Sequence, residues 1–181
     1  GMIIGIVTKT GVGLKLASVL VGMANGNEII LLFCTMLTSL ILGMGVPTTA
    51  NYVITSTIAA PALIGLGVPI LAAHMFVFYF GIIADITPPV ALAAYAGAAI
   101  SGGDPLKTGV NASKLGIAAF IVPYVFVLSP ALLGIHASAG QVIMTTITAL
   151  IGMVGISSAM IGYLYRRLNA IERLIIFAAG L

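Results

Sequence analysis

Two short stretches hold the residue types that could do chemistry, and each interrupts an apolar segment: GMGVPTT from Gly43 to Thr49, and DITPPV from Asp85 to Val90. Gly43, Gly45 and Pro47 in series cannot sustain a regular helix, so the carbonyls ending the preceding helix lose their intrahelical donors. Such carbonyls suit a small cation. Thr48 and Thr49 stand where the next helix begins, with hydroxyls beside unpaired N–H groups at the positive end of a helix dipole, which favours an anionic group. Asn51 shares a helical face with Val46 or Thr48, and either hydrogen-bonds a substrate or makes a structural bond to the backbone around it.

The second stretch repeats this logic. Thr87 reads as an N-cap, Pro88 as first-turn residue, and Ala84 to Ile86 as the source of freed carbonyls. Asp85 is the acid set deepest in an apolar segment, and an ionisable group at membrane depth is a functional candidate by default; it either binds a cation or caps Thr87. The candidates for binding such a cation are Gly43, Gly45, Thr48 and Thr87. Val46, Pro47, Thr49, Asn51, Asp85, Ile86, Pro88, Pro89 and Val90 complete the expected ion and substrate contacts. Paired interruptions of this kind are the sequence pointer to a secondary-transporter site, because irregular backbone at membrane depth survives only inside protein or beside a water-filled cavity.

The elements that must position these residues are helices. Of 181 residues, 61% are hydrophobic and 6% charged, too little polar surface to cover a soluble domain. The apolar residues form continuous runs rather than the alternation of a membrane barrel. The expected fold is an all-α integral membrane protein: a polytopic helical bundle with a re-entrant helical hairpin and a discontinuous helix. Residues 1–28 read as a broken or truncated membrane helix, 29–66 as the hairpin and 67–101 as the discontinuous helix. Residues 102–114 read as an interfacial helix begun by Asp104-Pro105, 115–165 as two spans, the first kinked by Pro123, and 166–181 as a basic cytoplasmic segment leading into a truncated span. Lys and Arg stay on the cytoplasmic side; Arg166, Arg167, Lys107 and Lys114 then agree on one orientation, with the hairpin entering from outside. The opening has neither a basic leader nor a cleavage site, which reads as a chain beginning mid-protein.

Other functions find little support. The net charge of +3 forms no basic stripe, so no nucleic-acid partner is expected. The lone Cys34 excludes a disulfide within the chain, His74 and His136 lack companion ligands for a metal, and no nucleophile motif, phosphate loop or carboxylate pair points to an enzyme or to an organic cofactor.

The string GMGVPTTANYVITSTIAAPAL, followed farther along by ITPPVALAAYAGAAISG, resembles the large membrane subunit of tripartite ATP-independent periplasmic (TRAP) transporters. With RRLNAIERL after the last span, the sequence looks most like the fused permeases that join small and large subunits in one chain. The resemblance spans nearly the whole sequence but only the C-terminal half of the large subunit, built from two inverted repeats. It implies an elevator-type secondary transporter half in the bacterial or archaeal cytoplasmic (inner) membrane. Sodium would be the coupling ion, a periplasmic solute-binding protein would deliver an organic anion, and a small membrane subunit or its fused equivalent would complete the permease. Carried over by position, Gly43 to Thr49 form a hairpin tip and Asp85 to Val90 an unwound helix. C4-dicarboxylates, sugar acids and amino acids all fit the implied substrate class. The competing readings are another carboxylate/sodium symporter of the wider ion-transporter group, a channel built around the same breaks, and a membrane scaffold packed through Gly5, Gly11, Gly13, Ala17 and Gly22.

Overall fold

The computed structural model describes residues 9–180. The elements in chain order are α1 (Val12–Ala24), α2 (Glu28–Gly43), α3 (Thr48–Ile58), α4 (Ala60–Gly65), α5 (Ile70–Ile83), a 3₁₀ turn (Ala84–Ile86), α6 (Leu92–Ser101), α7 (Pro105–Leu115), α8 (Ile117–Leu128), a second 3₁₀ turn (Pro130–Leu133), α9 (Ala139–Ile161) and α10 (Ala170–Gly180). Among the described residues there is no strand, only an isolated bridge between Tyr163 and Arg167.

The helix starts follow polar caps. Asn27 Oδ1 accepts from the N–H groups of Ile29 and Ile30 at 3.0 and 3.3 Å, with Glu28 in the first turn facing the helix dipole. Asp104 accepts from Lys107 N–H at 2.8 Å, and Ser138 forms a reciprocal capping box with Gln141.

Helix α5 is the centre of the fold, packed by α2, α3, α4 and α8. Ala72, Ala73, Phe76, Val77 and Phe80 are fully buried there, against Leu31 and Leu32 of α2 and Leu63 of α4. Phe76 and Phe80 stack edge-on with Tyr124 of α8. Away from this core the helices turn large apolar side chains outward: Ile41, Ile70, Leu71, Met144, Ile151, Leu174 and others are more than half exposed. That inside-out surplus is what a hydrocarbon surrounding accommodates and water does not.

Between residues 115 and 165 the structure has one helix of spanning length, α9, with 23 residues; two spans were expected there. The other run forms α8, 12 residues long, roughly 18 Å at 1.5 Å per residue and short of a bilayer core. It begins one residue after α7 with a 43° bend, so the expected interfacial helix and the first expected span form one bent pair. Pro123 removes a hydrogen bond inside α8, and Pro130 begins the separate 3₁₀ turn. At the C-terminal end α10 folds back antiparallel on α9, where a Cβ on Gly152 would lie 2.8 Å from the Gly180 carbonyl oxygen. Arg173 donates to the Ala159 and Met160 carbonyls at 2.6 and 3.0 Å, and Arg166 pairs with Glu172.

Of the glycines expected to pack a scaffold, Gly11 and Gly22 have open space where a Cβ would stand. Gly5 lies outside the described residues.

Candidate ion and solute site

Helices α2 and α3 form a hairpin closed by Met44 to Pro47. Gly45 sits at φ +73°, a left-handed conformation that L side chains resist, so the turn depends on glycine here. Val46 N–H reaches the Gly43 carbonyl at 3.4 Å, and Met44 N–H the Ile41 carbonyl at 3.3 Å. Pro47 occupies the N-cap of α3 with extended backbone and offers no side-chain cap. Thr48 and Thr49 are exposed in the first turn, their hydroxyls engaged with no partner among the described residues. This leaves N–H donors and two hydroxyls at the positive end of α3.

The second interruption follows α5. The chain tightens into the 3₁₀ turn, runs through Thr87 and a cis Pro88–Pro89 bond, and resumes as α6 only at Leu92. The N-cap of α6 is thus Ala91, not Thr87, and Pro88 precedes the helix rather than sitting in its first turn. The reason is local: Pro88 itself precedes a proline, and a residue in that position is pushed out of the helical region, so no helix can start directly after the extended Thr87. Its hydroxyl donates back to the Ile83 carbonyl at 2.7 Å. The freed carbonyls are correspondingly fewer than the sequence implies. Ala84 accepts from Thr87 N–H at 3.2 Å, and Ile86 accepts from the Ser113 hydroxyl at 2.9 Å. The half-buried Asp85 carboxylate has no hydrogen-bond or ion-pair partner among the described residues, so it does not cap Thr87.

The fold brings the two interruptions together. A Cβ on Gly43 would lie 2.9 Å from both Ala84 Cβ and the Gly81 carbonyl oxygen, and one on Gly45 would lie 3.9 Å from Val90 Cγ1. Asn51, 2% exposed, is wedged at this junction: Cβ atoms built on Gly43 and Gly81 would stand 2.8 and 2.6 Å from its Nδ2. Among the described residues its Oδ1 has no partner, and neither do the buried hydroxyls of Thr35 and Ser39, which precede Gly43 at helical spacing on α2. The hairpin thus holds three buried, uncommitted hard oxygens.

Sequence reasoning missed Gly81, Ser39, Thr35, Gly109 and Ser113. The only signal was spacing: Thr35-Ser39-Gly43 and Gly109-Ser113 each recur every fourth residue, which places them on one helix face. His74 is engaged by Tyr52, with Oη and Nδ1 3.0 Å apart, and no cluster of metal-ligating side chains occurs among the described residues.

The family model of the tripartite ATP-independent periplasmic transporter, DctM component, matches residues 1–141. The chain belongs to that family. Both interruptions of this DctM chain, and α7, lie inside the matched region, whereas α10 lies outside it. Membership makes the chain part of a membrane-embedded TRAP-type permease, a secondary-transporter component rather than a member of an enzyme family. It also implies association with a periplasmic binding protein and a small membrane subunit. No curated protein and no solved structure matches the chain significantly.

Proposed function

We propose that this DctM chain supplies half of the transport site of a sodium-coupled permease that takes up organic carboxylates handed over by a periplasmic solute-binding protein. The observation that supports this most is the meeting of the two interrupted segments at Gly43, Gly81 and Ala84 and at Gly45 and Val90. The first break contributes the N-terminus of α3 and the Thr49 hydroxyl, which suit a carboxylate, together with the Thr48 hydroxyl; the second contributes Asp85 and the remaining backbone oxygens, which with the Thr48 hydroxyl suit sodium. The hydroxyl oxygen of Thr87 retains lone pairs for a cation while its proton is held by Ile83. In this reading the hairpin is re-entrant from the periplasmic side of the cytoplasmic membrane, and the small subunit is fused to the permease.

The experiment is uptake into proteoliposomes containing the complete permease, with its binding protein and a panel of labelled dicarboxylates, sugar acids and amino acids. An inward sodium gradient is expected to drive accumulation of a carboxylate, and an equal potassium gradient is not. Uptake that ignores sodium, or equilibrates without accumulating, would overturn the coupled reading.

A further inference from the structure

The contact between α7 and the second interruption has no assigned role. Ser113 on α7 donates its hydroxyl to the Ile86 carbonyl at 2.9 Å, across 27 positions of sequence. The same hydroxyl lies 3.1 Å from the Gly109 carbonyl one turn earlier on its own helix. Gly109 is buried, and a Cβ there would meet Ala91 Cβ, Pro88 Cγ and Tyr95 Cε1, each at 3.3 Å. One turn beyond Ser113, a Cβ on Gly116 would meet Ile86 Cδ1 at 2.8 Å. Small residues thus let α7 lie directly on the broken segment, and its one hydroxyl on that face reaches the backbone of the break.

This bond completes the fixation of a single peptide plane. The plane joining Ile86 to Thr87 is held at its oxygen by Ser113 and at its nitrogen by the Ala84 carbonyl at 3.2 Å. The carboxylate-bearing residue Asp85 precedes that plane and the Thr87 hydroxyl follows it, so its orientation sets how both are presented. Two prolines without N–H donors follow this plane, and beyond it the Thr87 hydroxyl bonds the Ile83 carbonyl at 2.7 Å and the Thr87 carbonyl accepts from Ala91 N–H at 3.1 Å, so Ser113 holds the oxygen that the local chain leaves free.

Resting on the sodium reading above, we propose that Ser113 is a positioning residue for the coupling ion: by holding the Ile86 carbonyl toward α7, it orients the ligands on either side without itself touching sodium. The alternative acceptor at Gly109 lets the hydroxyl leave Ile86 without becoming unpaired, so the break can loosen when the ion departs.

The test is equilibrium binding of radioactive sodium to the purified complete permease, reading affinity and capacity separately. A hydrogen bond of this class is worth a factor of about three to ten in an equilibrium constant. Ser113→Ala is expected to weaken sodium affinity by about that factor at unchanged capacity, with Ser113→Thr restoring it to within about twofold. Gly109→Ala, which presses α7 away from the break, is expected to weaken affinity in the same direction, and Lys114→Ala, on the exposed side of α7, to leave it alone. Unchanged affinity in both Ser113→Ala and Gly109→Ala, or lost capacity at wild-type affinity, would overturn the proposal. Absence of saturable sodium binding in the wild-type permease would overturn the sodium reading beneath it instead.

Discussion

At the scale of single residues, Asn51 is the side chain on which the two interruptions close. Its carboxamide fills space that only the absence of side chains on Gly43 and Gly81 provides, with 2.8 and 2.6 Å to the positions their Cβ atoms would take. Gly81→Ala is therefore expected to overpack the junction and to lower stability by about 1–3 kcal/mol, read as thermal unfolding of the purified permease in detergent. Truncating the neighbour should relieve the clash, so Asn51→Ala in the Gly81→Ala background is expected to cost less than the two changes summed. Strict additivity would show that the residues do not share this space. Asn51 was readable in the sequence as a polar residue just past the first break. Gly81 was not, because a lone glycine in an apolar run looks like ordinary helix packing until its distant partner is known.

At the scale of elements, helices and breaks were legible for different reasons. The hairpin turn was visible because Gly45 admits a left-handed backbone and Pro47 lacks the N–H that a continuing helix needs, and α2 ends at Gly43 accordingly. The second break was visible in position but not in form, since the proline pair defers α6 to Leu92 and puts the buried Ala91 at φ +39°. No local pattern announces a left-handed alanine. Ala91→Gly is expected to leave the break intact, whereas Ala91→Val is expected to destabilise by about 1–3 kcal/mol, because a β-branched side chain resists that conformation and Ala91 is buried beside Gly109. Equal unfolding temperatures for the two variants would contradict this. The division between α7 and α8 was legible only as composition. Lys107 and Lys114 mark α7 as surface-seeking, but nothing in the local sequence says whether Gly116 ends a helix or merely bends one; in the fold the two helices meet there at 43°.

At the scale of the whole molecule, the hairpin, α5 and the broken segment form one packed body around Phe76 and Phe80, with the interruptions side by side on it. Contacts as close as Gly43 with Gly81 leave no room for sliding, so ion and solute ligands on both breaks are expected to move together. Composition pointed to the membrane and the paired breaks to a candidate site, but their adjacency depends on helix packing that no single segment records. The central claim is that both breaks serve one sodium-coupled site, and sodium titration of carboxylate uptake by Thr48→Val and Thr87→Val in the complete permease tests it most directly. Each variant, at normal membrane levels, is expected to raise the half-saturating sodium concentration severalfold, as the loss of one oxygen ligand or ligand-positioning bond predicts. Sodium dependence unchanged from wild type in both variants would contradict the account.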